Sequence, residues 1–361
     1  MTLFRWLTAA ALALCFCVVV LGAYVRLSDA GLGCPDWPGC YGHLAVPTAA
    51  ARVEAAQQRF PGRPVVAHKA WKEMIHRYLA STLGLLILGL FALSFRRGLP
   101  SRLPKILLGL VVLQGLLGMW TVTLLLKPVI VTAHLLGGMS TLAVLGWLWL
   151  EVREARSGKQ EPEAPSLATR LDPHASDLRN EREALHALRA TLAPGAPPAT
   201  GLRLAAGFTA MLVLGQIFLG GWTSSNYAAL ACPDLPTCQG RLVPELGLHE
   251  AFLETHGDVN YEGGVLNNRA RVTIHWMHRA GAAAVTLAAL LLVLGLARGD
   301  ASRRRFARLI GAALAVQLAL GLGLILLQWP LPLAAAHNAG AALLWLAMIS
   351  LNHFAWRRAS S

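Results

Sequence analysis

Eight long apolar runs decide what this chain can fold into. Each approaches the roughly 20 residues that an α-helix needs to cross the hydrocarbon layer of a membrane. Transmembrane β-strands would instead alternate polar and apolar residues in segments of about ten, and these runs do not alternate. The sequence therefore predicts an all-α polytopic membrane protein with eight transmembrane helices. The runs lie near residues 4–25, 73–95, 103–126, 129–150, 204–224, 274–297, 306–327 and 331–352.

The distribution of charge supports this prediction and indicates an orientation. Only 14% of the residues are charged, against about 25% in soluble domains. Of the 32 lysines and arginines, 20 fall on the side of the membrane that holds both termini, and 12 fall on the other side or just inside the helices. Because short basic loops stay in the cytoplasm, we expect both termini to be cytoplasmic. The net charge of +13 then reflects topology, and we expect no nucleic-acid partner.

The chain contains an internal repeat. His76 and His278 are 202 residues apart, and His134 and His337 are 203 residues apart. Each of these histidines lies just inside an apolar run. Three further pairs recur at nearly the same separation: Gln114 with Gln317, Gly118 with Gly321, and Pro128 with Pro330.

The repeat predicts two tandem four-helix bundles. Short connections within each copy force antiparallel neighbours, and four helices per copy give both copies the same orientation, which makes a parallel repeat. We expect an N-terminal half over residues 1–150 and a C-terminal half over 204–361. The polar segment 151–203 is predicted to be a cytoplasmic linker, with an amphipathic helix near 177–192.

Two outer loops share the pattern C-P-D-x-P-x-C. It runs from Cys34 to Cys40 in the first loop and from Cys232 to Cys238 in the second. The proline-rich residues between the cysteines form a tight turn that can bring two sulfurs together, and on an oxidising side a structural disulfide is the expected state. A redox-active pair is the alternative. Zinc is disfavoured, because typical zinc ligands are more closely spaced.

The repeated histidines indicate a cofactor. An ionisable side chain inside a membrane is costly and is a functional candidate by default, although a hydrogen bond to a neighbouring helix is the alternative for any single one. By helix rise, all four lie very roughly 5–10 Å below the outer surface. Two imidazoles at equal depth on different helices can bind one haem iron from opposite faces. We therefore predict one haem between His76 and His134 and another between His278 and His337.

Glu73 distinguishes the two halves. It lies three residues before His76 on the same helix face, where the second copy has His275. A di-iron site would need further glutamates that the chain lacks in its apolar runs. A carboxylate beside a haem can move protons, so we predict a catalytic first half and an electron-relay second half. The alternatives are an interfacial residue near a helix start for Glu73, and interfacial packing for His275.

Arg77 and Arg279 follow the first histidine of each pair. A guanidinium group binds carboxylates with two parallel hydrogen bonds, so both arginines are candidate contacts for haem propionates. The plain alternative is that each extends its charged group towards the membrane surface.

These residues together resemble the haem A synthase family, membrane enzymes that convert haem O to haem A for cytochrome oxidases. The resemblance covers both halves of the chain. It is carried by both cysteine loops and by four short motifs: Glu73-x-x-His76-Arg77, Thr132-Ala-His134, His278-Arg279 and His337-Asn338.

The resemblance implies that a ring methyl of haem O is oxidised to a formyl group, by successive hydroxylations and loss of water. It implies that the first histidine pair holds the substrate and that the second pair holds haem b. Glu73 matches the essential glutamate of the family, and Cys34 and Cys40 match its disulfide-forming pair. We also expect a location in the cell inner (plasma) membrane, with the cysteine loops periplasmic or extracellular.

The expected partners are haem O, a haem O synthase, an electron-transfer partner and membrane lipid, and homo-oligomerisation stays open. Three other functions compete. A di-haem electron carrier that reacts with quinone would explain the histidines but not Glu73. A membrane thiol oxidoreductase would use the cysteine loops and needs no intramembrane histidine. A haem transporter would release its ligand chemically unchanged.

Overall fold

The computed structural model describes residues 2–157, 199–254, 256–257 and 259–357. The regular elements within these residues are ten helices, and eight of them are long and apolar enough to cross a membrane. The prediction of an all-α membrane protein with eight spans is confirmed. The helices are α1 (Thr2–Leu27), α2 (Ala50–Arg59), α3 (Ala67–Leu93), α4 (Arg102–Thr123), α5 (Pro128–Ser157), α6 (Ala199–Ser225), α7 (Leu248–Phe252), α8 (Asn268–Ala297), α9 (Ala301–Leu326) and α10 (Leu331–Arg357).

Several helices extend beyond their apolar runs. Helices α3 and α8 each begin six residues before the predicted start, because their first turns are polar and hydropathy does not detect them. Asn267 starts α8 by accepting a hydrogen bond from the amide of Ala270 at 2.8 Å. Helices α5 and α6 continue into the ends of the predicted linker. The amphipathic helix predicted near 177–192 lies outside the described residues.

The four long helices of each half close into a ring. In the first half, α1 packs against α3 and α5, and α4 packs against the same two helices. In the second half, α6 and α9 each pack against α8 and α10. Helices α3 and α5 are therefore diagonal partners, as are α8 and α10. Side chains that point inward from diagonal helices face each other across the bundle, where cofactor sites of such bundles are built.

The halves meet along α5 and α10. These two helices pack against each other, while α1 packs against α10 and α6 packs against α5. Leu142, Leu145 and Leu148 of α5 are fully buried, and the indole Nε1 of Trp345 on α10 donates to the carbonyl of Met139 at 3.0 Å. Because lipid is as apolar as these side chains, close packing and such hydrogen bonds hold the halves together.

The turns are duplicated as well as the helices. Eight described non-glycine residues have a positive φ, between 48° and 67°. This left-handed conformation is uncommon for residues other than glycine and asparagine. The eight residues form four pairs at the spacing of the repeat: Asp29 with Tyr227, Tyr41 with Gln239, Leu125 with Gln328, and Leu126 with Trp329.

Candidate functional site

The four repeated histidines lie on the diagonal helices of the two bundles. His76 is on α3 and His134 on α5, while His278 is on α8 and His337 on α10. Because α3 and α5 are diagonal partners, as are α8 and α10, each predicted pair lies on two helices that face each other across one bundle.

Each histidine ring lies against a glycine of a neighbouring helix. A Cβ built on that glycine would stand 2.9–3.5 Å from the Cε1 atom of the ring, and most of these distances are too short for a side chain without movement of the imidazole. The glycines therefore make room for the rings inside the bundles. The pairs are Gly22 with His76, Gly118 with His134, Gly220 with His278, and Gly321 with His337.

The ring nitrogens fit a haem ligand set. The Nδ1 atoms of His76, His134 and His337 are buried without a hydrogen-bond partner among the described residues, which is rare for a polar atom in a folded protein. No three His, Cys, Asp or Glu residues of the described ranges gather as a bare metal ion would require. Two histidines suffice for a haem iron, because the porphyrin supplies the other four ligands.

Glu73 and His275 make the same contact in the two halves. The Oε2 atom of Glu73 accepts a hydrogen bond from the amide of Cys34 at 2.9 Å. The Nδ1 atom of His275 accepts one from the amide of Cys232 at 3.2 Å. Both side chains are buried, with exposed fractions of 4% and 5%. Each therefore anchors a cysteine loop to its helix, and only the first half does so with a carboxylate.

Arg77 and Arg279 also bind the cysteine loops. Arg77 pairs with the carboxylate of Glu73, and both guanidinium groups donate to backbone carbonyls. The structure therefore gives both arginines a loop-holding contact that the sequence did not indicate, and a propionate contact for them stays a prediction. The accepting carbonyls are those of Asp36, Pro38 and Gly39 for Arg77, and those of Cys232, Asp234 and Thr237 for Arg279.

Both cysteine loops contain a disulfide. Cys34 bonds Cys40 and Cys232 bonds Cys238, with Cα–Cα distances of 4.8 and 4.7 Å. All four cysteines have exposed fractions of 1% or less. A buried disulfide is poorly accessible to another thiol, so the geometry favours the structural role over the redox-active one.

An aspartate shapes each cysteine loop. The Asp234 carboxylate accepts hydrogen bonds from the amides of Gln239 at 2.7 Å and Gly240 at 2.9 Å, and from the Thr237 hydroxyl. These bonds, the one from Thr237 first, hold the pKa of Asp234 well below its usual range. Asp36 accepts from two amides at the matching positions of the first loop. The aspartate of the C-P-D-x-P-x-C pattern is therefore a turn-forming residue.

Sequence reasoning missed Gln216, which lies beside a predicted iron ligand. Its Nε2 atom donates to the carbonyl of His278 at 2.9 Å and lies 3.0 Å from the Nδ1 atom of the same residue. A signal was present, since Gln216 is a polar residue in the apolar run of α6 and its counterpart in the first half is Val18.

Comparison with known proteins decides the family. Residues 5–349 match the model of COX15-CtaA, described as cytochrome oxidase assembly protein. The chain belongs to the COX15-CtaA family. Its relatives include the haem A synthase of Shewanella oneidensis, with 40% identity over 359 residues that cover 99% of this chain and 98% of the relative. The haem A synthase of Mesorhizobium japonicum is 30% identical, with 98% and 89% covered, and that of Caulobacter vibrioides is 28% identical, with 98% and 94% covered.

The predicted resemblance to haem A synthases is confirmed by these matches. This COX15-CtaA protein is a multi-pass membrane protein whose two bundles share one architecture. The bundles differ beside their histidines, where the first has Glu73 and Val18 and the second has His275 and Gln216.

Proposed function

We propose that this protein is a haem A synthase, which oxidises a ring methyl of haem O to a formyl group and so supplies haem A for cytochrome oxidase assembly. The observation that carries the proposal is the pair of histidines on diagonal helices of each bundle, with each ring seated against a glycine. Relatives named haem A synthase match nearly the whole chain and support the same conclusion.

We place the substrate haem O between His76 and His134, in the N-terminal half, and haem b between His278 and His337, in the C-terminal half. The presence of a carboxylate beside the first pair alone supports this division. When bound, the haem b iron would supply one-electron redox chemistry. The histidines would orient both porphyrins within the bundles.

The catalytic group in this proposal is Glu73. Conversion of a methyl to a formyl group requires proton transfers, and a carboxylate three residues from His76 can accept or deliver a proton near the substrate. The amide of Cys34 and the guanidinium of Arg77 each engage one carboxylate oxygen, which fixes its orientation. The cysteine loop thereby positions the catalytic acid.

We further propose that the protein lies in the cell inner (plasma) membrane with both termini cytoplasmic and the cysteine loops periplasmic or extracellular. The 20 to 12 division of lysines and arginines supports this orientation. Haem O would come from a haem O synthase, and an electron-transfer partner would accept or donate electrons.

Pigment analysis of the purified protein tests the proposed function. Protein coexpressed with a haem O synthase is expected to carry haem A together with haem b, measured by reversed-phase chromatography of the extracted haems. Protein from the same cells without the synthase is the control and should carry haem b alone. Unchanged haem O beside haem b would favour the electron carrier or the transporter and contradict the proposal.

Replacement of Cys34 and Cys40 by serine tests the thiol oxidoreductase. We expect the free energy of unfolding to fall by about 2 kcal/mol, because the disulfide closes a short loop. Haem O conversion should persist, since Cys34→Ser keeps the backbone amide that binds Glu73. Thermal denaturation followed by haem absorbance measures the first effect, and haem A yield the second. Loss of all conversion in a folded variant, with the matched Cys232 and Cys238 variant active, would favour thiol chemistry.

A further inference from the structure

One histidine of the second bundle is held by a side chain that the first bundle lacks. The Nε2 atom of Gln216, on α6, donates to the carbonyl of His278 on α8 and lies within hydrogen-bond distance of its imidazole, at 2.9 and 3.0 Å. An imidazole that binds iron through Nε2 carries its proton on Nδ1 and donates there. The Oε1 atom of Gln216 is buried without a partner among the described residues, and a half-turn of the amide would let it accept that hydrogen bond. In the described orientation the same side chain binds the backbone of His278 and lies against its ring.

The space for Gln216 is built into α8. A Cβ on Gly281 would lie 2.3 Å from the Oε1 atom of Gln216, so any side chain at this position would displace the amide. Gly281 lies three residues after His278, on the same face of the helix. The contact between Gln216 and His278 thus depends on the glycine.

The first bundle carries the opposite combination. Val18 lies 198 residues before Gln216, the separation of Cys34 from Cys232, and Leu79 lies 202 residues before Gly281, the separation of His76 from His278. A large polar residue and a glycine in one half are replaced by valine and leucine in the other. Valine is close to glutamine in volume and leucine is much larger than glycine, and neither Val18 nor Leu79 has a hydrogen-bonding side chain.

The ring of His76 has no hydrogen bond of this kind. Its Nδ1 atom is buried and has no hydrogen-bond partner in the described part of the chain. Gln317 of α9 also lies against a histidine of the second bundle, with its Nε2 atom 3.3 Å from the Nε2 atom of His337, whereas the Nε2 atom of its counterpart Gln114 has no partner among the described residues. The difference between the first histidines of the two pairs lies in Gln216 and Gly281.

We propose that Gln216 is a positioning residue that keeps His278 on the iron of the resident haem, and that its absence from the first bundle lets His76 leave the iron of the substrate. This inference rests on the proposed function. An iron that kept both imidazoles would have no coordination position open to oxygen, so oxygen chemistry at the substrate iron would require one ligand to leave. A site that only transfers electrons keeps both.

Carbon monoxide is the probe, because it binds ferrous haem only where an axial ligand has left. Two variants test the restraint. Gln216→Leu keeps the size of the side chain and removes its hydrogen bonds, and Gln216→Val with Gly281→Leu copies the packing of the first bundle. In reduced protein from cells that make no haem O, we expect carbon monoxide to bind faster than to the wild type, on the order of the tenfold to hundredfold that loss of such a partner typically costs in metal affinity or activity.

Gln114→Leu is the matched control, because it removes a glutamine from the first bundle whose Nε2 atom has no partner among the described residues. Its carbon monoxide kinetics should equal those of the wild type. The reciprocal variant, Val18→Gln with Leu79→Gly, should slow carbon monoxide binding when haem occupies the first bundle. Release of haem b from a folded Gln216 variant would equally support the inference, since it reports a weaker hold.

Unchanged carbon monoxide kinetics and haem content in Gln216→Leu would overturn the inference. If the double variant does not accumulate in cells, the result for Gln216→Leu alone is decisive. Haem A yield, measured on the same preparations, distinguishes a failure of the positioning role from a failure of the proposed function. Wild-type protein that makes haem A while Gln216→Leu keeps wild-type carbon monoxide kinetics would refute the positioning role alone. Wild-type protein that binds haem b but makes no haem A would refute the proposed function.

Discussion

Replacement of Glu73 by histidine is expected to stop haem A formation while haem stays bound. The second half shows that a histidine at this place can accept a hydrogen bond from the backbone amide of the cysteine that begins the loop, as His275 does from Cys232. Glu73→His therefore keeps a loop anchor and removes the carboxylate. Conversion of haem O should slow by about a hundredfold or more, the usual effect of losing a general acid–base group. Haem A yield per mole of total haem measures the change.

Two further variants sharpen this result. Glu73→Gln keeps the shape and the acceptor for Cys34 but loses the ion pair with Arg77, and we expect a hydroxylated intermediate to accumulate. The matched control is His275→Glu, which alters the equivalent anchor of the second half and should leave conversion by the first half in place. Full conversion by Glu73→His would remove Glu73 from catalysis and reduce it to a loop anchor.

Removal of His278 or His337 should abolish the resident haem b spectrum. Each supplies one of the two protein ligands of that iron in the proposed assignment, and an alanine side chain cannot ligate iron. We expect almost complete loss of haem b from either variant when no haem O is supplied. Absorption spectra of the reduced protein, with total haem per mole of protein, measure the loss.

The first histidine pair provides the comparison. His76→Ala and His134→Ala should retain the haem b of the second bundle and lose the haem O and haem A fraction instead. An unchanged spectrum of a haem with two histidine ligands in both His278→Ala and His337→Ala would refute the assignment. Loss of haem b from the variants of the first bundle would reverse it.

Much of the architecture could be predicted because lipid imposes long apolar runs. The eight spans and the repeat of their histidines follow from hydropathy and spacing alone. The tight turns could not be predicted, because Leu125 and Leu126 adopt a left-handed conformation that their side chains do not favour, as do Gln328 and Trp329. These residues close the C-terminal ends of α4 and α9, where the amide of Leu126 donates to the carbonyl of Thr121 and that of Trp329 to the carbonyl of Leu324.

The site was only partly predictable for a similar reason. The identity of the four candidate ligands followed from their spacing, since a helix presents its residues at a regular rise. The anchor between Glu73 and Cys34 spans 39 residues and depends on how the cysteine loop folds back, which spacing does not encode. The first half has Val18 and Leu79 where the second half has Gln216 and Gly281. This difference becomes visible only when the two halves are aligned and both positions are compared together.

The contacts between the halves have a consequence for how the two sites became different. Helix α1 touches α10, α6 touches α5, and α5 touches α10, which is the reciprocal pattern of an isologous dimer. A symmetric ancestor made of two identical subunits would carry any mutation in both sites at once. Fusion of the two copies into one polypeptide removes that constraint, so that the first bundle could acquire Glu73 while the second bundle acquired Gln216.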